Sequence, residues 1–127
     1  VAIKKIIIRF RDMSNDIDYT EWGQAEWLLR TGKYAVKKIT VKPHHRIPEE
    51  YHQQRDQHWV VIQGESFMIF PHAQRVAKAG DSMYIPRRIK HSISNKSLQP
   101  LVFIEIQTGH YLGEDDTVIT PQKDDEK

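Results

Sequence analysis

A chain of 127 residues with 39% apolar side chains and no cysteine fits one domain with a real core, and it excludes disulfides, thiolate metal sites and cysteine nucleophiles together. Its 19 basic and 17 acidic residues are spread along the chain and leave a net charge of +2, so no single-sign field is available to track a nucleic acid backbone. No apolar run approaches the ~18 residues of a membrane span, which points to a soluble, cytoplasmic protein without nucleic-acid or membrane partners.

Residues 1–19 read as an N-terminal strand and lead-in. The opening VAIKKIIIRF is followed by charge at Arg11 and Asp12 with no small-residue cleavage pattern, which argues against a signal peptide. Ile6, Ile7 and Ile8 form a continuous apolar run, as expected of a strand covered on both faces, so it is expected to join a partner's sheet in a homodimer or to seal its own. Next, TEWGQAEWLLR is short for a helix and carries Gly23; a short helix and an extended stretch along one side of a barrel both fit. From there β-branched and aromatic runs recur between turn residues: YAVKKITVKP, HWVVIQG, SFMIFP, SMYIPR, HSISN and PLVFIEIQTG. This rhythm is all-β. So many short strands need a sandwich or a closed barrel to hide their edges, and a barrel interior offers a ligand pocket. The barrel is expected over residues 20–118, and residues 119–127, ending in PQKDDEK, are too polar to order themselves and read as a mobile tail.

The polar run EEYHQQRDQHW places Glu50 and His52 two residues apart, on one face of a strand. Gln57 faces them from the next strand across a turn at QQRD, and His91, flanked by Pro86 and Asn95, offers a second imidazole. Each feature alone is ordinary: a Glu-x-His pair beside a turn is commonly solvated surface, and a lone downstream histidine is commonly structural. By alternation Trp59 and Val61 share the inner face of Gln57 while His58 points out. Glu105 and Gln107 share one face of LVFIEIQTG, and Val102, Ile104 and Ile106 the other. If the polar face lines the barrel, Glu105 is a candidate proton shuttle. Arg87, Arg88 and Lys90 precede His91 as a basic rim able to bind phosphate as point charges, and the tandem His44 and His45 read as a surface loop.

The spacing of Glu50, His52, Gln57 and Gly64, and of Gly80, Pro86, His91 and Asn95, resembles the two cupin motifs. More narrowly, WGQAEWLL at 22–29, VKKITVKP at 36–43, HWVVIQG at 58–64, GDSMYIP at 80–86 and IEIQTGHYLGEDD at 104–116 resemble the C-terminal cupin domain of the type II mannose-6-phosphate isomerases, which are commonly fused to a mannose-1-phosphate guanylyltransferase. The resemblance implies a cupin-type double-stranded β-helix, a jelly-roll barrel with few or no helices. It implies one divalent metal ion held by Glu50, His52, Gln57 and His91; Zn, Mn, Fe, Co or Ni suits such a nitrogen and oxygen set. It also implies a small-molecule partner, a sugar phosphate, and the interconversion of mannose 6-phosphate and fructose 6-phosphate. Arg55 stands at the family's arginine position between the ligand strands, where a guanidinium can reach a substrate oxygen or phosphate; the alternative is a surface arginine.

Laid on the family pattern, Glu50 occupies the glutamine position and Gln57 the glutamate position, so the ligand inventory and its net charge are kept while their order is inverted. Pro48 replaces a family serine, and Ile119 stands where the family carries an arginine. Three functions therefore remain in view: a metal-dependent sugar-phosphate isomerase, a metallo-cupin for a different small sugar or acid, and a non-catalytic structural or regulatory cupin.

Overall fold

The computed structural model describes residues 16–121; the expected N-terminal strand AIKKIIIRF and most of the expected tail lie outside them. Eleven strands follow in chain order: β1 Ile17–Tyr19, β2 Gly23–Arg30, β3 Tyr34–Val41, β4 Arg46–His52, β5 Arg55–Gln63, β6 Glu65–Phe70, β7 Ala73–Lys78, β8 Ser82–Ile85, β9 His91–Ser94, β10 Leu101–Gly109 and β11 Thr117–Ile119. One 3-10 turn, Glu114–Asp116, is the only helical element among the described residues, and none is long and apolar enough to cross a membrane. The six-stranded sheet runs β1-β2-β3-β10-β5-β8 and the five-stranded sheet β11-β4-β9-β6-β7, every pair antiparallel. The all-β architecture expected from the strand rhythm is present, as the two antiparallel sheets that the cupin resemblance implies.

Residues 23–30 resolve the open choice between helix and strand. Their burial alternates, with Ala25 and Trp27 inward, because the pattern has a period of two. Gly23 opens β2 where a side chain is excluded: its φ is +152° and a Cβ there would sit 1.9 Å from the Thr40 carbonyl oxygen. The strand β7 carries no apolar rhythm at all, since only Ala77 of its six residues is buried; it forms the edge of the five-stranded sheet, where one face and one side meet water.

The interior is divided along the strand axis. On β10 the inward residues are Leu101, Phe103, Glu105 and Gln107, all at most 4% exposed. Register pairs Phe103 with Val61, Glu105 with Trp59 and Gln107 with Gln57. One end of the barrel is therefore filled by apolar side chains, among them Val41, Met68, Leu101 and Phe103. The other end holds buried Arg55, Gln57, Glu105, Gln107, His52 and His91. Burial of this many polar groups is tolerated only when they bond to one another or to a ligand, so the chemistry is confined to that end.

Candidate functional site

The chain crosses between the two sheets at Gln53 and Gln54, which link β4 to β5. Both backbone N–H groups donate to the buried Asp116 carboxylate, at 3.2 and 2.9 Å, so the acid cluster after β10 ties this crossing down. Gly109 lets β10 pass close by: its Cβ would lie 2.3 Å from the Gln54 carbonyl oxygen. The result sets Glu50 and His52 on β4 and His91 on the adjacent β9 across the interior from Arg55 and Gln57 on β5 and Glu105 on β10. Glu50 and His91 are register partners.

One ligand atom from each of Glu50, His52 and His91 lies within 4.8 Å of the others, and Gln57 lines the same cavity. His52 Nε2 is 3.7 Å from Glu50 Oε1. His91 Nδ1 is 2.8 Å from the Ile89 carbonyl oxygen, which can only accept, so the proton sits on Nδ1 and Nε2 keeps its lone pair. His52 Nδ1 lies 3.3 Å from Thr117 Oγ1, which already accepts from Arg55 Nη2 at 2.9 Å and has a second lone pair for the histidine. Burial lowers the proton affinity of both imidazoles, that of His52 to a pKa of about 3, with further lowering by Arg55. Both are neutral near pH 7. The Glu50 pKa is pushed up to about 7, first by burial and then by the nearby Glu105.

Glu105 fixes the fourth group. Its Oε1 accepts from Gln57 Nε2 at 3.0 Å and Trp59 Nε1 at 2.9 Å, and its Oε2 accepts from Gln107 Nε2 at 2.6 Å. A carboxylate can only accept here, so the Gln57 amide nitrogen must face it and the amide oxygen must face away. A buried relay continues through Gln107 Oε1, which accepts from Arg55 Nη1 at 3.2 Å, and through Arg55 to Thr117 and His52. Two of the four residues are thus oriented by one hydrogen-bonded chain.

Three buried atoms, His52 Nε2, His91 Nε2 and Gln57 Oε1, are without a hydrogen-bond partner. Leaving such acceptors unmatched costs about 1–3 kcal/mol each. A divalent cation accepts lone pairs from all three and would stabilise the Glu50 carboxylate that burial disfavours. The donor set fits a metal, and its Nδ1 and amide contacts are of the kind that orient metal ligands.

The other expected residues fall in different places. Arg55 is the first residue of β5 and is 2% exposed, so the surface alternative does not hold. Its Nε is buried without a partner. None of Arg87, Arg88 and Lys90 lines the cavity. Arg87 is held by Asp56, an outward residue of β5, with Nε and Nη2 at 3.2 and 3.1 Å from its two carboxylate oxygens; this pairing holds the Asp56 carboxyl below its ordinary range. Arg88 has φ +72° and donates its backbone N–H to the His52 carbonyl, which shapes the turn before β9. His58 is exposed and stacks on Tyr84.

Sequence reasoning missed Lys37, Glu114 and Thr117, all of which line the cavity. Alternation along β3 carried the signal for Lys37, since Ala35, Ile39 and Val41 on the same face are buried. Nothing local marks Glu114 or Thr117, which arrive through the turn after β10.

The family model described as the C-terminal domain of mannose-6-phosphate isomerase matches residues 11–122. The chain belongs to this family. Among the relatives of this chain is the mannose-1-phosphate guanylyltransferase of Salmonella montevideo, 34% identical over 122 residues, covering 91% of this chain and 26% of that protein. Another is the alginate biosynthesis protein AlgA of Pseudomonas aeruginosa, 37% identical over 98 residues, 77% of this chain and 20% of that protein. The chain thus spans about a quarter or less of the length of these curated relatives. A protein with a double-stranded β-helix domain from Klebsiella pneumoniae superposes with a TM-score of 0.68 at 18% identity, covering 86% of this chain and 88% of that one. CapF from Staphylococcus aureus gives 0.72 at 17% identity over 81% of this chain and 33% of its own. These likenesses establish the double-stranded β-helix, or cupin, fold of the chain.

Proposed function

We propose that the protein is a metal-dependent cupin that binds a sugar phosphate and, like the isomerase its family is named for, interconverts an aldose and a ketose. The observation that carries this reading is the convergence of the Glu50, His52 and His91 donors within 4.8 Å, with the unpartnered Gln57 oxygen in the same cavity. When bound, a divalent ion supplies Lewis acidity toward a carbonyl or hydroxyl oxygen. The chain's own residues do the rest. His52 and His91 present neutral lone pairs, Glu50 contributes the carboxylate, and Gln57 contributes an amide oxygen whose direction Glu105 sets. With both oxygens engaged by neutral donors, Glu105 is proposed as a positioning residue in preference to the proton shuttle expected from the sequence. Apolar residues of the cavity wall, among them Trp22, Ile39, Ile47 and Phe103, limit water around the polar end.

The test is a coupled assay with mannose 6-phosphate and with fructose 6-phosphate in the presence of added Mn²⁺, Co²⁺ or Zn²⁺. Turnover lost on His91→Ala supports the isomerase; no turnover above buffer with any of the ions removes it. A second reading, a metallo-cupin for a smaller sugar or acid, is favoured by one observation: the cavity measures about 70 Å³, far below the roughly 300 Å³ at which small-molecule sites begin. Metal uptake without isomerase turnover would point to that reading.

A further inference from the structure

The cavity mouth contains a second charge arrangement, beside the Glu50 carboxylate on which Arg55 and Lys37 also act. Lys37 and Arg55 both line the cavity, with side chains 12% and 2% exposed, and both converge on the carboxylate of Glu114. Lys37 Nζ is 3.2 Å from Glu114 Oε1 and Arg55 Nη2 is 3.8 Å from Glu114 Oε2. The hydrogen-bond partners of the Arg55 guanidinium are neutral: Gln107 Oε1, the Leu112 carbonyl and Thr117 Oγ1. Lys37 Nζ also lies 4.1 Å from the centroid of the Trp27 ring, which holds the ammonium in place without neutralising it.

The anion in this arrangement is unlike the cations. The Glu114 side chain is 55% exposed, and Glu114 is the exposed member of the cavity lining. Its two neighbours in the 3-10 turn have other duties. Asp116 accepts from the backbone of Gln53 and Gln54, and Asp115 accepts from the Tyr111 hydroxyl. The turn is therefore pinned by its neighbours, while the Glu114 side chain faces water and is held, among the described residues, by its two ion pairs alone. An exposed carboxylate is held only weakly by its ion pairs, whereas two desolvated cations require an anion between them. Moving Glu114 also removes one wall from a cavity of about 70 Å³, which is too small for a sugar as it stands.

We propose that Lys37 and Arg55 form an anion subsite at the cavity mouth, in which Glu114 is a built-in placeholder exchanged for the phosphate or carboxylate group of the incoming ligand. The inference rests on reading this cavity as the ligand site and is independent of whether a metal is bound. Arg55 supplies a planar fork fixed by three neutral acceptors, and Lys37 a point charge of adjustable direction. Ligand binding and opening of the mouth become one event, because the same carboxylate fills the subsite and narrows the entrance.

The experiment is calorimetric titration of the full chain, with and without EDTA, using inorganic phosphate, acetate and mannose 6-phosphate as probes. Glu114→Gln removes the competitor and keeps the shape, so it should tighten phosphate or acetate binding by about threefold to tenfold, with the probe that responds identifying the anion class. Lys37→Gln should weaken the same binding by about tenfold or more, and binding to the wild type should fall with added salt. Because Glu114 is exposed, its variant is expected to fold, and the predicted gain of affinity cannot arise from misfolding. Unchanged or weaker binding by Glu114→Gln, or no binding of any anion to either protein, overturns the proposal. Loss of isomerase turnover alone does not bear on it, since inorganic phosphate and acetate report on the subsite without catalysis.

Discussion

Glu50→Gln is expected to stabilise the metal-free protein and to weaken its response to metal. In the folded state the Glu50 pKa stands at about 7 against an ordinary 4.5, chiefly because the group is buried. The unfolded chain therefore releases this proton at lower pH than the folded one. The group's contribution is fully favourable below pH 4.5 and is lost as the pH rises through about 7. At about 1.4 kcal/mol per pH unit the loss is roughly 3.5 kcal/mol, or about 2 kcal/mol once screening through a side chain 23% exposed is allowed for. An amide has the shape of the protonated acid and carries no charge, so the metal-free variant at pH 8 should gain about 2 kcal/mol, on the order of 10 °C in Tm. At pH 4 the two proteins should match. A divalent ion at a hundredfold excess over its Kd should raise wild-type stability by about 2.7 kcal/mol and the variant by clearly less. Urea denaturation between pH 4 and 8, with and without Zn²⁺ or Mn²⁺, measures both effects. A variant less stable than the wild type at pH 8, or a difference that stays flat with pH, would refute the reasoning.

His52 acts in the opposite sense. Its pKa falls from 6.5 to about 3 through burial, so its contribution is complete above pH 6.5 and is lost as the pH falls toward 3; His52→Gln should flatten this acid limb in denaturant titrations. Glu105→Gln turns an acceptor that receives three donors into a half-donor, and should cost about 2–4 kcal/mol in stability and about 10–100-fold in metal affinity, read by urea melts and competition with a chelator. In Gly109→Ala the new Cβ would meet the Gln54 carbonyl oxygen at 2.3 Å; the β4–β5 crossing must shift, with an expected loss of about 2 kcal/mol or more and weaker metal uptake.

Several elements are legible in the sequence because burial imposes a period on it. HWVVIQG and PLVFIEIQTG read as strands, since their more and less buried residues alternate; the alternation gives the inward face of HWVVIQG and separates the two faces of PLVFIEIQTG. The same alternation places Glu50 with His52, and Gln57 with Trp59. The edge strand β7 is not legible, because with one buried residue it has no face to encode. The residues expected as a rim, Arg87, Arg88 and Lys90, do not line the cavity: Arg87 is held by the outward Asp56 and the backbone of Arg88 by the His52 carbonyl, and neither contact has a period. Lys37 could have been found by alternation on β3, whereas Glu114 and Thr117 reach the cavity only through the chain's return after β10. That Glu105 shares a face with Gln107 was legible; that this face lines the barrel was left open, and the role of Glu105 was not legible, because three donors from two strands determine it.

The central claim is that Glu50, His52, Gln57 and His91 hold one divalent ion. Anomalous scattering from crystals of the full chain soaked in Zn²⁺ or Co²⁺ tests it most directly. The account predicts one principal peak at the polar end of the barrel, within about 2.0–2.2 Å of both histidine nitrogens and of the oxygens of Glu50 and Gln57. A peak confined to surface sites such as His44 and His45, or an empty barrel at saturating metal, would contradict it.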